Sequence, residues 1–182
     1  IGPTPAVIKK MGDKLQAKEI AKKASIPTLE TVEKVSLAKK IGFPLMIKAA
    51  AGGGGKGMRI VKDSASLRDA AAAAKREALS GFGDDRIFFE KYIEKSRHIE
   101  VQILGDDKNV VHLGERECSI QRRHQKIIEE SPSTRLSEEL RLNICEDAKR
   151  IAKAIKYTSA GTVEFLLDDK TGEYWFLEVN TR

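Results

Sequence analysis

A glycine-rich segment with a lysine just before it is the first group of residues suited to chemistry. Gly52-Gly-Gly-Gly-Lys-Gly57 follows a short apolar strand, Leu45–Ala49, which contains Lys48, and it precedes a second strand over 58–62. Glycine amides can approach phosphate oxygens closely because no Cβ stands in the way, and Lys48 and Lys56 supply positive charge. A dinucleotide fingerprint would open a helix, whereas a strand follows here. The segment is therefore predicted as a hairpin that either cradles phosphates or is a flexible surface loop.

Two glutamates and an asparagine near the end of the sequence form a second candidate site. Strands are predicted over 161–168 and 174–180, joined by a short turn that contains glycine. The antiparallel register that starts from this turn places Glu164 opposite Glu178, with Asn180 on the same face. Opposed like charges destabilise a sheet unless a cation lies between them, and carboxylate and amide oxygens are ligands that Mg²⁺ prefers. The pair is either a magnesium site or a solvated face of the hairpin.

The third group is a basic segment over 115–126, with a histidine on a nearby strand. Arginine and lysine side chains in this segment are suited to binding phosphates or a carboxylate. His98, Gln121 and His124 could hydrogen-bond ribose or phosphate oxygens. Residues 118–135 show no periodicity and are predicted as one long loop, and loops of this length are usually functional. Its cationic members are Arg116, Arg122, Arg123 and Lys126.

The elements that must position these groups mix helices and strands. Ile99, Val101 and Ile103 alternate with His98, Glu100 and Gln102, which predicts a strand with one apolar and one polar face. The register of the final hairpin assigns Trp175 and Leu177 to its apolar face. The predicted helices cover the first 24 residues with a break at Gly12 and Asp13, a short stretch that ends at Gly42, residues 64–80 closed by Gly81, and residues 138–156. Further strands are predicted over 86–93, over 98–104 and up to Glu117.

The composition describes a globular protein that attracts small anions. The 182 residues are 41% hydrophobic and 33% charged, which suits one sizeable core or two small domains. The net charge of +6 attracts anions, but an aromatic content of 5% argues against a nucleic-acid surface built on base stacking. No apolar run approaches the roughly 18–20 residues of a membrane-spanning helix. The two cysteines, Cys118 and Cys145, form no disulfide framework and suit a reducing compartment, and Cys118 is expected to be buried and inert.

Taken in chain order, these residues resemble the ATP-grasp region of biotin carboxylase, the biotin-carboxylating component of acyl-CoA and pyruvate carboxylases. The run from Gln121 to Lys126 and the closing segment Glu178–Arg182 are specific to that family, and the resemblance extends from end to end of the sequence. The segments that carry it are Met11–Lys14, Ile47–Ala49 with the glycine loop, Glu90–Tyr92, Arg97–Gln102, Arg116–Lys126, Gly161–Glu164 and Glu178–Arg182.

The resemblance implies an α+β ATP-grasp fold, with antiparallel sheets, flanking helices and a mobile glycine-rich lid, as a fragment of a larger enzyme. Residues 1–27 would form a helical connection from a Rossmann-like domain, 28–92 the lid subdomain, and 93–182 the first part of the C-terminal subdomain. The glutamate base of the family would lie beyond this segment. The stretch between Pro27 and Ile41 is shorter than the family usually has, which indicates either a true deletion or a gap in the sequence.

The activity implied by the resemblance is MgATP-dependent phosphorylation of bicarbonate to carboxyphosphate, followed by carboxylation of biotin. ATP, Mg²⁺ or Mn²⁺, and biotin on a carrier domain or subunit are the expected cofactors. A carboxyltransferase component is an expected partner, and the full-length protein is expected to be a homo-oligomer. Binding to nucleic acid or to a membrane is not expected. The expected location is the cytoplasm, or the mitochondrial matrix in a eukaryote. The alternatives are a carbamoyl-phosphate-synthetase-like ligase, an RNA-binding module and a nucleotide sensor.

The resemblance also assigns roles to individual residues. Lys126 and Arg182 would face bicarbonate, with His124 as a third catalytic residue. Glu164 and Glu178 would ligate magnesium, with Asn180 close by. ATP would be bound by Lys14, Lys48, Gly52, Gly53, Gly54, Gly55, Gly57, Met58, Glu90, Lys91, Ile93, His98, Gln121 and His124. Within this set, Glu90 and the backbone of Lys91 and Ile93 would hold the adenine.

Overall fold

The computed structural model describes residues 2–53, 55–106 and 108–181, and these divide into two compact units. One unit combines residues up to 28 with those from 95 onward, and the other covers 29–94. None of the helices among the described residues is long and apolar enough to cross a membrane. In chain order the elements are α1 (Pro5–Gly12), α2 (Lys14–Lys23), β1 (Thr31–Val32), α3 (Val35–Ile41), β2 (Leu45–Ala49), β3 (Arg59–Val61), α4 (Leu67–Phe82), β4 (Ile87–Lys91), β5 (Ser96–Gly105), β6 (Val110–Arg122), β7 (Gln125–Glu130), α5 (Glu138–Ala154), β8 (Ser159–Asp168) and β9 (Tyr174–Thr181).

The unit over 29–94 is an antiparallel sheet, in the order β1-β4-β2-β3, packed against helices. Leu45 pairs with Val61, which confirms the predicted hairpin around the glycine segment. The core between sheet and helices contains Leu45, Ile47, Leu67, Ala74 and Phe89.

Helix α4 begins and ends later than the sequence predicts. It covers Leu67–Phe82, and Gly83, at φ 71°, provides its left-handed C-cap by donating to the Leu79 carbonyl. The prediction that Gly81 closes the helix is wrong, because Gly81 lies inside it. A second glycine two residues further on, Gly83, takes the left-handed conformation, so the helix continues through Gly81.

The larger unit is a five-stranded antiparallel sheet, in the order β7-β6-β5-β8-β9, with helices packed on one face. In its core, α1, α2 and α5 pack against the apolar face of β5. The β5 residues on this face, Ile99, Val101 and Ile103, are fully buried, as predicted from their alternation. All three of these helices have the side-chain N-caps that their sequences favour, and Thr4 caps α1. Asp13 accepts a hydrogen bond from the Gln16 amide at 3.0 Å, and Ser137 caps α5.

The segment predicted as a long loop is mostly a β-hairpin, and that prediction is wrong. β6 extends to Arg122, two residues turn the chain, and β7 returns over Gln125–Glu130. The turn residues Arg123 and His124 have φ of 51° and 64°, as a tight hairpin turn requires. Neither is a glycine, and the strand after them is mostly exposed, so the sequence lacks both the turn signal and the alternation that indicate a hairpin.

The final hairpin contains a register shift that the sequence did not indicate. Its turn is closed by the Asp168 amide, which donates to the Glu173 carbonyl at 2.8 Å, and Gly172 is left-handed as predicted. The register shifts by one between Glu164 and Phe165, so Phe165 pairs with Phe176. Phe176 therefore enters the core in place of the residues predicted there, Trp175 and Leu177, which are only half-buried. The same shift restores the predicted pairing of Glu164 with Glu178.

Close packing around Tyr157 predicts a large effect of one added methyl group. A Cβ built on Gly105 would overlap the backbone carbonyl oxygen of Tyr157, whose buried hydroxyl donates to Ala160 at 3.0 Å. Gly105→Ala should therefore lower the free energy of unfolding by about 2–3 kcal/mol in denaturant titrations. Gly81→Ala is the control, because a Cβ there would lie in open space, and it should stabilise α4 by about 0.5–1 kcal/mol. A Gly105→Ala protein that unfolds at the wild-type midpoint would contradict this packing.

Candidate functional site

Four charged residues form one row across four strands on the face of the larger sheet opposite the Ile99, Val101 and Ile103 side chains. Arg116 on β6 pairs with Glu100 on β5, Glu100 pairs with Glu164 on β8, and Glu164 pairs with Glu178 on β9. The sequence predicted the Glu164–Glu178 pair but not the place of Glu100 beside it. The alternation of apolar and polar residues in β5 had placed Glu100 on this face. The sequence did not show that β5 pairs with β8, which brings Glu100 beside Glu164.

Lys126 joins the two buried carboxylates of this row. Its Nζ donates to Glu100 Oε2 and, at 2.6 Å, to Glu164 Oε1. The guanidinium of Arg116 holds the other oxygen of Glu100, with 2.7 Å between Nε and Oε1. The resemblance gave Lys126 and Glu164 different roles, Lys126 as a residue that faces bicarbonate and Glu164 as a metal ligand. The structure brings them into direct contact.

Asn180 and Lys14 complete the arrangement at the β9 side. The Asn180 amide donates to Glu164 Oε1 at 2.6 Å, as expected of a side chain on the same face. Lys14, the first residue of α2, makes a 3.2 Å ion pair with Glu178. Each acidic member of the row therefore contacts a cationic side chain in this structure.

Burial gives the carboxylates different electrostatic properties. Burial raises the pKa of Glu164, and the nearby charge of Glu178 raises it further, while the hydrogen bond from Lys126 opposes both. Burial also acts to raise the pKa of Glu100, but the hydrogen bonds from Lys126 and Arg116 outweigh it and lower that pKa. The carboxylates in turn raise the pKa of Lys126 against the effect of burial, so Lys126 remains protonated. Of Glu100 and Glu164, Glu164 is therefore the one whose ionised form is disfavoured in the folded protein.

This donor set fits a magnesium ion. Glu164 and Glu178 lie directly opposite each other with the Asn180 side chain beside them, which supplies carboxylate and amide oxygens on one face. A buried carboxylate with a raised pKa gains most from a divalent cation nearby. Residues predicted as metal ligands are thus brought together by the fold.

In the unit over 29–94, Lys48 forms an ion pair with the buried carboxylate of Glu90. Lys48 Nζ lies 2.8 Å from Glu90 Oε2, and Thr31 Oγ1 donates to Glu90 Oε1 at 3.1 Å. Glu90 is 1% exposed. The resemblance assigned Lys48 to ATP phosphates and Glu90 to the adenine, whereas here the carboxylate holds the lysine. Lys91 donates through Nζ to the Phe43 carbonyl at 3.2 Å, and Ile93, just beyond β4, is half-buried.

Three glycines of the glycine segment have positive φ angles, a backbone conformation that favours glycine. Gly52, Gly55 and Gly57 have φ of 85°, 75° and 72°, which L residues rarely adopt. Gly53 is exposed and Met58 half-buried, while Gly54 lies outside the described residues. Successive amides in such conformations form concavities that bind anions. The geometry is compatible with the predicted phosphate cradle.

Three residues predicted on the nucleotide side lie on β5 and the β6–β7 hairpin. The His98 amide donates to Ser119 Oγ at 3.1 Å, and Gln121 Nε2 donates to the Cys118 carbonyl at 2.8 Å. His124 is exposed in the turn. Gln121 pairs with Lys126 in the hairpin register, so the hairpin connects these positions to the charged row. Arg182, the other predicted bicarbonate residue, lies outside the described residues.

Residues 9–182 match the family model described as the carbamoyl-phosphate synthase L chain, ATP binding domain. The chain belongs to this family. The match covers every charged residue of the row and the glycine segment. Its ATP-grasp fold, predicted from the sequence, is confirmed by this match and by the solved structures that it resembles.

The relatives of this ATP-binding domain include biotin carboxylases. It is 51% identical to the mitochondrial propionyl-CoA carboxylase alpha chain of Homo sapiens and to the biotin carboxylase of a Nostoc species. All of this chain is covered in both comparisons, but it spans only 26% and 42% of those two proteins. Both alignments extend over 191 positions, nine more than the 182 residues here, so the relatives carry additional residues within the matched region.

Solved structures give the same result. The ATP-binding domain superimposes on a Campylobacter jejuni biotin carboxylase–β-γ-ATP complex with a TM-score of 0.95 at 47% identity, covering 100% of this chain and 42% of the other. The biotin carboxylase domain of Hydrogenobacter thermophilus 2-oxoglutarate carboxylase, in complex with MgADP and bicarbonate, gives 0.94 at 45% identity, with the same coverage. The resemblance to biotin carboxylase found in the sequence is confirmed.

The cysteines of this ATP-binding domain are expected to be unreactive. Burial, together with the charge of Glu100, raises the pKa of the Cys118 thiol to about 12, and burial raises that of Cys145 to about 11. Because the thiolate is the reacting species, both residues should resist iodoacetamide at pH 8 in the folded protein. Mass spectrometry of native and urea-unfolded samples provides the measurement and its control. Stoichiometric labelling of native Cys118 would contradict its burial.

Proposed function

We propose that this domain is the nucleotide-binding part of a biotin carboxylase, which uses MgATP to convert bicarbonate to carboxyphosphate and then carboxylates biotin on a carrier. The observation that carries the proposal is the row of Arg116, Glu100, Glu164 and Glu178 with Lys126 across its centre. It combines a divalent-cation donor set with a fixed ammonium group. Identities of 48–51% to biotin carboxylases and acyl-CoA carboxylase chains support the assignment.

The charged row suits phosphoryl transfer because that reaction depends on positioning and on neutralised oxygens more than on covalent catalysis. Glu164 and Glu178, with Asn180 beside them, would hold Mg²⁺. When bound there, the ion would neutralise negative charge on the phosphate oxygens of ATP. These three side chains bring the donor oxygens to one face of the sheet.

Lys126 is the residue best suited to orient bicarbonate. Glu100 and Glu164 restrict its ammonium group and keep it protonated, since Nζ donates hydrogen bonds to both carboxylates. A fixed cation binds an anionic substrate and stabilises the negative charge that develops when its oxygen attacks a phosphate. Arg116 holds Glu100 from the other side, so the position of Lys126 is set by a network of ion pairs.

The remaining partners follow from the same proposal. A biotin carrier domain or subunit would deliver the acceptor, and a carboxyltransferase component would use the carboxybiotin produced. The full-length protein would be a homo-oligomer in the cytoplasm or the mitochondrial matrix. These parts of the proposal rest on the similarity to acyl-CoA and pyruvate carboxylases.

A second candidate, a carbamoyl-phosphate-synthetase-like ligase, is favoured by the description of the matching family model. Both activities share the first step, so the acceptor distinguishes them. ADP release by the full-length protein should depend on bicarbonate and be stimulated by free biotin, with no response to ammonia. Stimulation by ammonia and not by biotin would favour the second candidate. ADP release that does not depend on bicarbonate would contradict both.

A further inference from the structure

Both ends of the glycine segment pack against the C-terminal half of α4. The ring of Phe82, the last residue of the helix, lies directly against Gly52, so that a Cβ built on this glycine would overlap the ring. At the other end, a Cβ on Gly57 would lie 3.1 Å from the Ala49 Cβ and 3.9 Å from the Ala78 Cβ. One helix therefore contacts the segment where it leaves the sheet and near where it returns.

Helix α4 is a rigid support for these contacts. Leu67, Ala71, Ala74 and Ala78 are at most 3% exposed, and all belong to the core formed with the sheet. The small alanine side chains let the helix approach the sheet closely. Phe82 is partly buried and packs against the same core, which restrains its ring. The face that touches the glycine segment is thus held by the interior of the unit.

The contacts act on residues in an unusual backbone conformation. Gly52 and Gly57 have φ of 85° and 72°. Glycine adopts this left-handed conformation without strain, but it adopts other backbone conformations as readily. An unsupported glycine would sample several conformations, and binding a ligand would require that freedom to be lost. Packing against Phe82 and Ala78 removes much of this freedom before the ligand binds.

We propose that Phe82 is a positioning residue for nucleotide binding, because it holds the start of the glycine segment in the conformation that presents its amides to phosphates. The inference rests on the proposed function, since it concerns the affinity for MgATP and not the later steps. Phe82 has no polar group to contact a phosphate, so it acts only through Gly52.

Steady-state kinetics of the full-length protein test this role. Phe82→Ala should raise the KM for MgATP about tenfold while kcat changes less than twofold, because ordering one backbone residue is worth roughly this factor. Phe82→Leu, which keeps apolar volume and protects folding, should give a smaller rise. Leu79→Ala is the matched control, since Leu79 lies three residues earlier on the same helix and is 56% exposed. It should leave KM and kcat unchanged.

A double-mutant cycle separates positioning from general stability. Gly52→Ala alone introduces both backbone strain and the overlap with the ring, whereas in the Phe82→Ala background only the strain remains. The two changes should therefore be non-additive in the KM for MgATP. Additive effects, or a Phe82→Ala protein with the KM of Leu79→Ala, would overturn the proposal. Wild-type protein without bicarbonate-dependent ADP release would instead overturn the proposed function, and MgATP titration by calorimetry would still test Phe82.

Discussion

Glu164→Gln should reduce Mg²⁺-dependent ADP release by about a hundredfold or more, without unfolding the protein. The glutamine retains an oxygen that can accept the hydrogen bonds now made by Lys126 and Asn180, so the local packing is preserved. It lacks the negative charge that a divalent cation requires. A magnesium titration of ADP release at saturating ATP measures the effect, and a wild-type titration curve would contradict the assignment of Glu164.

The same substitution should lower activity without lowering stability, and its effect on stability should depend on pH. Because the pKa of Glu164 is raised in the folded protein, ionisation of this group disfavours the folded state as pH rises. Glu164→Gln should thus be at least as stable as wild type at pH 8, and its relative advantage should shrink as the pH falls through the raised pKa of Glu164 and be absent below the ordinary carboxyl pKa. Glu178→Gln is the matched control. The more exposed Glu178 pairs with Lys14, so its removal should raise the magnesium requirement without this stability gain.

Lys126→Met should have the second large effect, on both stability and turnover. It leaves the buried carboxylates of Glu100 and Glu164 without their shared cation, and loss of one partner of a buried pair typically lowers stability by about 3–5 kcal/mol. Turnover should fall by about 10²–10³-fold, the size of effect seen when one preorganised donor is removed.

Lys126→Arg separates the two contributions. The guanidinium keeps the positive charge beside Glu100 and Glu164, so most of the stability should return in thermal unfolding. The position of the charge changes, so turnover should stay well below wild type. A Lys126→Met protein with wild-type bicarbonate-dependent turnover would exclude Lys126 from the reaction. Arg122→Met, at an exposed position on the same hairpin, should change neither quantity.

Much of the fold is local enough to be predicted from the sequence. The apolar stripe of α5, including Ile144, Ala148 and Ile151, and the alternation of β5 follow directly from helix and strand periodicity. The Glu164–Glu178 pair was predicted from turn geometry, but the inferred register was wrong close to the turn. The extra residue at the register shift compensated for a turn that closes one residue earlier than assumed.

The parts that the sequence did not predict depend on contacts between distant segments. The β6–β7 hairpin turns at Arg123 and His124, which carry no glycine or asparagine signal, and its second strand has no buried face. The charged row requires β5 to pair with both β6 and β8, so Arg116, Glu100 and Glu164 meet only after the sheet has formed. The ion pair of Lys48 with Glu90 likewise depends on the β2–β4 pairing.

We propose that this ATP-binding domain serves the carboxylation of biotin. The most direct measurement is the transfer of label from radioactive bicarbonate to free biotin by the full-length protein, in the presence of MgATP. We expect acid-labile carboxybiotin whose formation requires ATP and Mg²⁺ and is lost in Lys126→Met. Bicarbonate-dependent ADP release that leaves biotin unlabelled, with label recovered in carbamoyl phosphate when ammonia is supplied, would exclude biotin as the acceptor.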